Sequence, residues 1–441
     1  MKLFIPHFFK SKKKSNLINN FQNGIKDYWY NIKLFSRNAR LYLIGSFLIG
    51  INFSIFQLLL NLYLKELGFQ EGQIGYVVSS RAIGMTLIAI PAAILLSRIK
   101  LRPILLTSCV LFAIFSFFIT TFQTLILLIG FSILSGMSFA FYRVASAPFY
   151  MRNSTPKERT HLFSFSFGMM LLAGMVGSIS SGKLVMIISN FTGNMILGYQ
   201  YTLYIGIAIS LIALIPFYKI IASTPSREEN KVSLSYKQLK RRGAFYFKIT
   251  FSNFLVGMGA GLTIPFLNLY FRDRFHLTPD TIGLYYFVVQ FSMLIGSLSG
   301  PILVKKLGLV RTVVITELAS IPFMLLLSYS YFLPLAFIGF IFRGGLMNLG
   351  VPIVTNFGME MSQKKEQGLV NALLMVAWTS SWMVSSAIGG TLIEKYGYTV
   401  TINITVILYF ISTIAFYGFF RNAERKNKTA PKWVIARESL S

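Results

Sequence analysis

Twelve apolar stretches of membrane-spanning length fill residues 41–420, and the second six repeat part of the first six. The tetrapeptide Leu-Asn-Leu-Tyr at residues 60–63 recurs at residues 267–270, an offset of 207 residues. The dipeptide Ile-Gly at residues 74–75 recurs at residues 282–283, one residue later in the second copy. Parallel repeats of this kind are typical of secondary transporters. The pattern therefore predicts two related halves within one polytopic membrane protein.

Each stretch is long enough for a helix to cross the roughly 30 Å of hydrocarbon in a bilayer, which takes about 20 apolar residues. The runs are continuous rather than alternating, so they predict helices. We place the spans near 42–64, 73–96, 103–121, 125–149, 161–188, 199–218, 245–271, 281–304, 311–331, 334–358, 368–391 and 399–420. The predicted fold is an all-α membrane protein with twelve transmembrane helices in two pseudo-symmetric six-helix bundles. The predicted organisation is an N-terminal arm (1–40), a first bundle (41–218), a linker (219–244), a second bundle (245–420) and a tail (421–441).

The net charge of +28 is explained by membrane topology rather than by a nucleic-acid partner. Most of the 42 lysines and arginines fall in the arm, the linker, the tail and every second loop. This is the positive-inside pattern, and it predicts a multi-pass protein of the inner (cytoplasmic) membrane with both termini cytoplasmic. The basic arm and loops would contact anionic lipid headgroups.

The sequence favours neither a metal site nor an enzyme. It contains one cysteine and three scattered histidines, which predict no disulfide, metal site or cofactor. No catalytic Ser-His-Asp set or phosphate-binding glycine loop occurs at convincing spacing. Because the loops are short, the chain leaves no room for a soluble catalytic domain.

Two local sequences, together with the repeat, indicate a family. Asn-Ser-Thr-Pro-Lys-Glu-Arg at residues 153–159 follows the fourth span, and Gly-Gly-Thr-Leu-Ile-Glu-Lys-Tyr-Gly at residues 389–397 ends the eleventh. Over roughly residues 40–422 the chain resembles the major facilitator superfamily, in particular its bacterial members with short loops. The resemblance implies a monomer in which the two halves rock around a central site, so that the site faces each side of the membrane in turn.

The family's best local motif, Gly…Asp-Arg…Gly…Arg between helices 2 and 3, is only partly present. Arg98 and Arg102 match it, whereas Ser97 stands where the motif has Asp, and Lys305 stands where the second copy has Asp. The usual ion-pair latch of the first half is therefore not expected. A substitute with reversed polarity would pair Glu360 with a lysine of the loop after helix 8; an ordinary loop carboxylate is the alternative. The predicted cytoplasmic gate comprises Arg98, Arg102, Arg152, Lys305, Lys306 and Glu360.

Charges at membrane depth are costly and usually face a cavity or a partner. Arg143 and Arg343 lie deep in helices 4 and 10, which the resemblance places at the central cavity. Two planar guanidinium groups suit a carboxylate or phosphate, so they predict an anion clamp, with a purely structural role as the alternative. Arg81 in helix 2 is interpreted as structural or gating. The residues that could complete the substrate site are Asn52, Gln57, Gln290, Asn348 and Trp378.

Glu317 is the one acidic residue placed within a span rather than near a helix end, loop or tail. It is the candidate for coupling transport to protons, with a structural hydrogen-bonded acid as the alternative. The chain is thus predicted to be a transporter of a small organic or amphiphilic solute, with a preference for an anionic or zwitterionic one. The alternatives are efflux of hydrophobic compounds or drugs, translocation of lipid, and a membrane sensor that transports nothing.

Overall fold

The computed structural model of the chain describes residues 34–221, 236–362 and 367–422. Most of the predicted arm, much of the predicted linker and most of the tail lie outside these residues, as do the lysines of the loop at 363–366. The described residues are predominantly helical, and eleven of their helices are long and apolar enough to cross a membrane.

The first half consists of six helices joined by short turns. Each begins close to where hydropathy places a span, although several extend further at one or both ends. The bounds are α1 Arg37–Glu66, α2 Glu71–Arg98, α3 Leu101–Thr121, α4 Leu125–Arg152, α5 Pro156–Thr192 and α6 Met195–Ile212, the last continued by Leu214–Tyr218. Ser36 caps α1, because its hydroxyl accepts a hydrogen bond from the backbone N–H of Ala39.

The second half repeats this arrangement with three interruptions, the first at Arg242, where the backbone is not helical. Helix α7 comprises Tyr236–Thr263, the tight turn Ile264–Phe266 and Leu267–Phe275. It is followed by α8 Pro279–Leu307, α9 Leu309–Tyr329 and α10 Leu333–Glu360. The last helical run, Gln367–Phe420, is interrupted at Gly397, whose φ of 78° suits a residue without a Cβ. We call the part before this glycine α11 and the part after it α12, which gives the twelve predicted spans.

The repeated tetrapeptide has the same structural role in both halves. The hydroxyl of Tyr63 donates to the carbonyl of Thr120 at 2.9 Å, and the hydroxyl of Tyr270 donates to the carbonyl of Leu327 at 2.6 Å. Both the tyrosines and their acceptors are 207 residues apart, which is the offset of the repeat. Each bond ties the first helix of a half to its third, so the sequence repeat marks a structural repeat.

The repeated asparagine joins the halves to each other. Asn61 on α1 donates to the carbonyl of Pro265 on α7 at 2.7 Å, and Asn268 on α7 donates to the carbonyl of Leu58 on α1 at 2.6 Å. The first bond uses the break in α7, because the proline is in the tight turn that interrupts the helix. The two bonds form a reciprocal pair about the pseudo-two-fold axis.

The halves also pack tightly along α2 and α11 and along α5 and α8 at this same end of the bundle. Glycines permit the approach: a Cβ on Gly390 would lie 2.3 Å from the carbonyl oxygen of Glu71, and one on Gly182 would lie 2.3 Å from that of Pro279. We call this end, which carries the turns at 67–70, 193–194, 276–278 and 397, the closed end. Small residues that let helix backbones meet are typical of membrane interfaces.

Toward the opposite end, which we call the open end, the inner faces of the halves are exposed. On α5, Gly174 and Ser178 contact Gln290 of α8, but Met170 and Phe167, on the preceding turns of the same face, are exposed. Phe247, near the start of α7, is exposed as well. The two halves therefore form a cavity between them that is sealed at the closed end and accessible from the open end.

Candidate functional site

The apex of the cavity is formed by α1. Gln57 is exposed although nearly all residues around it on this helix are buried. It lies one turn from Asn61, which seals the closed end, and one turn from Phe53 on the other side, so the three share a face. A polar, exposed amide directly beneath the seal is placed to contact a solute that has reached the end of the cavity.

The wall of the second half is aromatic. A cavity of about 230 Å³ is lined by Phe247, Thr250, Phe251, Phe254 and Ala377. The stripe on α7 that carries these phenylalanines continues in steps of three or four residues to Pro265, which contacts the first half. Trp378 follows on α11, with its ring centroid 6.0 Å from that of Trp382. This wall offers apolar and aromatic contacts to a solute.

The wall of the first half carries a positive charge. Arg143 on α4 is exposed, and its Nη1 donates to the sulfur of Met170 at 3.7 Å. Because that methionine lies on the inner face of α5, the guanidinium is placed at the cavity. A thioether is a weak acceptor, and among the described residues no other hydrogen bond of this guanidinium is found, so its remaining N–H groups can bind solute or water.

Arg343 occupies a different environment. It is 5% exposed, and its Nη2 donates to the hydroxyl of Tyr409 on α12 at 2.6 Å. The side chain thus points into the bundle of the second half and not into the cavity. In this structure the two arginines therefore do not come together as the predicted clamp, because the side of α10 that carries Arg343 is turned toward α12.

Glu317 lies in the same interior layer of the second half. It is 7% exposed, and its Oε2 accepts a hydrogen bond from the hydroxyl of Thr413 at 2.7 Å. Thr413 follows Tyr409 by one turn, so the carboxyl and Arg343 both bind neighbouring turns of α12. The predicted coupling residue is therefore buried behind the cavity wall.

The remaining predicted binding residues are dispersed. Asn52 is fully buried, and its Oδ1 would lie 3.0 Å from a Cβ placed on Gly206 of α6, on the side of α1 away from Gln57. The amide of Asn348 donates to the carbonyl of Gly344 on its own helix at 3.0 Å. Gln290 donates to Ser178 at 2.8 Å and so belongs to the contact between the halves.

The predicted gate residues lie toward the open end without forming the predicted latch. Arg152 donates to the carbonyl of Leu96 at 3.0 Å, and Arg102 lies 4.7 Å over the ring of Tyr218. Glu360 is exposed and accepts from Asn356 at 2.9 Å. Within the described residues Glu360 makes no ion pair with Lys305 or Lys306, both of which are exposed, and the side chain of Arg98 lies outside the description.

Charged groups at the closed end were not among the predicted site residues. Arg272 on α7 pairs with Glu66 on α1 at 2.5 Å across the halves, and Lys65 pairs with Glu71 at 2.5 Å within the first half. Glu394 on α11 accepts from the backbone N–H of Gly72 at 2.9 Å. The repeat offered a sequence signal for these ion pairs, because each copy of Leu-Asn-Leu-Tyr is closely followed by a basic and an acidic residue. A cavity of about 750 Å³ is lined in part by the two ion pairs.

Searching the described residues finds no cluster of His, Cys, Asp and Glu that could hold a metal ion. The geometry instead provides a cavity between two repeated bundles, with one polar and cationic wall and one aromatic wall.

Comparison with known proteins identifies the arrangement. The fold is similar to a crystal structure of a point mutant of the nucleoside transporter NupG (TM-score 0.72, 15% identity, covering 87% of this chain and 100% of that one). It is also similar to a bacterial homolog of the human lysosomal transporter Spinster in an inward-facing, unoccupied conformation (TM-score 0.71, 12% identity, 89% and 97% covered). A third similar structure is the human organic anion transporter MFSD10 (TM-score 0.61, 15% identity, 86% and 99% covered).

A search of curated protein sequences finds no match. The model of the Major Facilitator Superfamily, however, matches residues 42–252 and again residues 249–440, once for each half. The chain therefore belongs to the Major Facilitator Superfamily, whose members are membrane transporters and not enzymes.

Proposed function

We propose that this protein moves a small amphiphilic organic solute with an anionic or zwitterionic head group across the cytoplasmic membrane by alternating access. The positive-inside pattern assigns the open end to the cytoplasm, and this structure then corresponds to the inward-open state. The solute binds as a small molecule in the central cavity of a monomer. No cofactor takes part.

The contrast between the two cavity walls carries the proposal. Arg143 presents an exposed guanidinium from the first half, and Phe247, Phe251 and Phe254 present aromatic surface from the second. A solute that contacts both walls needs an apolar body and a group that accepts hydrogen bonds from a cation. Such a solute bridges the halves, so its binding energy can favour a different relative position of the halves.

The seal at the closed end is suited to opening. Its polar contacts include an ion pair about 28–29% exposed at each side chain, hydrogen bonds from Asn61 and Asn268, and the bond from the backbone N–H of Gly72 to Glu394. A partly exposed ion pair contributes roughly 0.2–1 kcal/mol, and each hydrogen bond about 0.5–1.5 kcal/mol. A ligand that binds the outward-open state modestly more tightly than the inward-open state can therefore shift the equilibrium between them.

The test is a thermal-stability panel on the purified protein with organic anions, lipophilic cations, neutral sugars and lipids. A ligand that binds only the folded protein stabilises it by about 2.7 kcal/mol at one hundred times its Kd. We expect stabilisation by anions that is reduced in Arg143→Gln and retained in Lys248→Gln. Lys248 is the control because it is a cation of the other half, near the start of α7, that packs over Phe419 of α12.

Efflux of hydrophobic compounds is the rival function, and the aromatic wall favours it. Stabilisation by lipophilic cations that does not depend on Arg143 would establish that rival. Stabilisation by lipids alone would indicate a lipid translocator. Coupling through Glu317 is tested separately by measuring uptake of the stabilising solute driven by a proton gradient. If Glu317 couples transport to protons, the Glu317→Gln variant should lose this uptake.

A further inference from the structure

A second arginine of the first half lies in an unusual environment next to the cavity. The guanidinium carbon of Arg81 on α2 is 4.8 Å from the ring centroid of Phe53, 5.5 Å from that of Phe139 and 5.6 Å from that of Phe112. These rings come from α1, α4 and α3, so one cation is surrounded by three helices. We call this arrangement the Arg81 cage.

The cage leaves hydrogen-bond donors unused. The Nε and Nη2 groups of Arg81 are buried and have no acceptor among the described residues. Aromatic faces attract the charge by roughly 0.5–2 kcal/mol each but do not accept its N–H groups as a carboxylate would. A buried donor without an acceptor costs about 1–3 kcal/mol, and more when it is charged.

The first half also lacks a carboxylate at this depth. Between Glu71 and Glu158 the sequence contains no Asp or Glu, so the charge of Arg81 has no acidic partner in α2, α3 or α4. The acidic residues of the first half lie at helix ends. Buried charges are normally paired, and the natural partner of an unpaired cation beside a substrate cavity is an anion.

The cage is continuous with the candidate site. Phe53 lies one turn from Gln57 at the apex, and Phe139 lies one turn from Arg143 on the wall. The rings of Phe53 and Phe139 stack at 4.7 Å between their centroids. Arg81 itself is partly exposed. A head group that leaves Arg143 and moves toward Gln57 therefore passes the edge of the cage.

We propose that Arg81 binds the anionic head group of the solute, and that this group is a carboxylate. This inference rests on the proposed function and deepens it. One guanidinium balances one negative charge, and its planar fork matches a carboxylate. The ring of Phe53, which is partly exposed, contacts the apolar body next to the head group, and the buried ring of Phe139 supports it. Arg143 is the outer cation that the solute meets first, and Arg81 is the inner cation that selects the charge.

Arg343 shows why the other deep arginine does not share this role. Its Nη2 is bonded to Tyr409 inside the second half, and the side chain is 5% exposed. Its Nη2 is used by the fold, and its Nε, although without an acceptor among the described residues, is enclosed in the second half, whereas the two such nitrogens of Arg81 lie next to the cavity. The difference between the two sites assigns anion selection to the first half.

The experiment compares two ligands of the same shape on the full-length purified protein. The probes are 4-phenylbutyrate and its uncharged amide, and the readout is the ratio of their dissociation constants from ligand-induced thermal stabilisation. We expect the wild type to prefer the carboxylate, and Arg81→Met to lose this preference by about 10- to 100-fold, the range of one hydrogen bond to a charged group. Lys248→Gln, which removes a positive charge elsewhere, should retain the preference.

The apparent melting temperature of the ligand-free protein separates binding from folding. Arg81→Met should melt at the same temperature as the wild type or higher, because it removes a buried charge without a carboxylate partner. An unchanged ratio of the two dissociation constants in Arg81→Met, including the case in which the affinity for both ligands falls equally, would overturn the assignment of Arg81. The proposed function would still stand. Should Arg81→Met fail to fold, the uncharged Arg81→Gln with the same two probes replaces it, and an unchanged ratio there has the same meaning. A wild type that binds both probes without preferring the carboxylate would overturn the assignment of a carboxylate head group.

Discussion

Substituting one glycine of the closed end should open the seal without changing any charged group. A Cβ on Gly390 of α11 would lie 2.3 Å from the carbonyl oxygen of Glu71 and 2.9 Å from the Cα of Gly75 on α2. Both are backbone atoms, so no side chain can rotate to make room. We therefore predict that Gly390→Ala shifts the protein away from this conformation.

The size of this shift in the conformational equilibrium follows from the distance between the added Cβ and the carbonyl oxygen of Glu71. A carbon and a carbonyl oxygen approach to about 3.3 Å at the closest, so α2 and α11 must separate by roughly 1 Å. Overpacking of this order costs about 1–3 kcal/mol, which corresponds to roughly a 5- to 150-fold change in the ratio of the two states. The gain in helix propensity from glycine to alanine is present in both states and cancels.

The assay is a pulsed spin-label distance measurement across the open end. Labels at Phe163→Cys on α5 and Phe247→Cys on α7 report whether the open end has closed, since both native side chains are exposed there. Cys109, the single native cysteine, is buried and is replaced by serine. Gly390→Ala should move the distance distribution toward shorter values.

Gly130→Ala is the matched control, because a Cβ at Gly130 of α4 meets nothing within 4 Å. It should leave the distribution unchanged. An unchanged distribution for Gly390→Ala in a folded protein would refute the reasoning, because the clash would then be relieved locally rather than by movement of the halves.

Two further predictions concern single polar contacts. Glu66→Arg or Arg272→Glu alone should weaken the closed end by up to about 1 kcal/mol, and the double exchange should restore the wild-type distance distribution; a double variant that stays perturbed would contradict the pairing. Tyr409→Phe removes the acceptor of the buried Arg343 and should cost about 1–3 kcal/mol of stability, measured as a lower melting temperature. Tyr417→Phe on the exposed side of α12 should melt like the wild type, and equal melting of both variants would contradict the role of the bond.

The repeat and the hydropathy pattern predicted the fold because they depend on local chemistry. Twenty apolar residues suffice to predict a span, and the copies of Leu-Asn-Leu-Tyr predicted two related halves. The structure adds the reason for the copies: Asn61 and Asn268 join the halves, and Tyr63 and Tyr270 tie the first helix of each half to its third.

The orientation of side chains around each helix could not be predicted in the same way. A membrane helix is apolar on nearly every side, so hydropathy does not mark the face that lines a cavity. Arg143 and Arg343 are therefore indistinguishable in the sequence, although the structure exposes the first and buries the second against α12. The sequence likewise shows no sign that Asn52 and Gln57 on α1 point in different directions unless the neighbouring helices are known.

The pairing of charged groups depends on which helix ends meet. Glu66 and Arg272 are 206 residues apart and pair only because α1 and α7 touch at the closed end. The predicted latch lies within the second half, between α10 and the loop after α8, so contact between the halves does not decide it. In this structure Glu360 is exposed and accepts a hydrogen bond from Asn356 of its own helix.

The measurement that tests the central claim most directly is the accessibility of Gln57→Cys, in the Cys109→Ser background, to a membrane-impermeant maleimide applied from each side of oriented vesicles. The account predicts labelling from the cytoplasmic side only, because the apex of the cavity lies beneath a seal. A transported solute should transfer part of the labelling to the other side. Labelling from both sides in the absence of solute, or from neither, would contradict an alternating-access cavity with its apex at this residue.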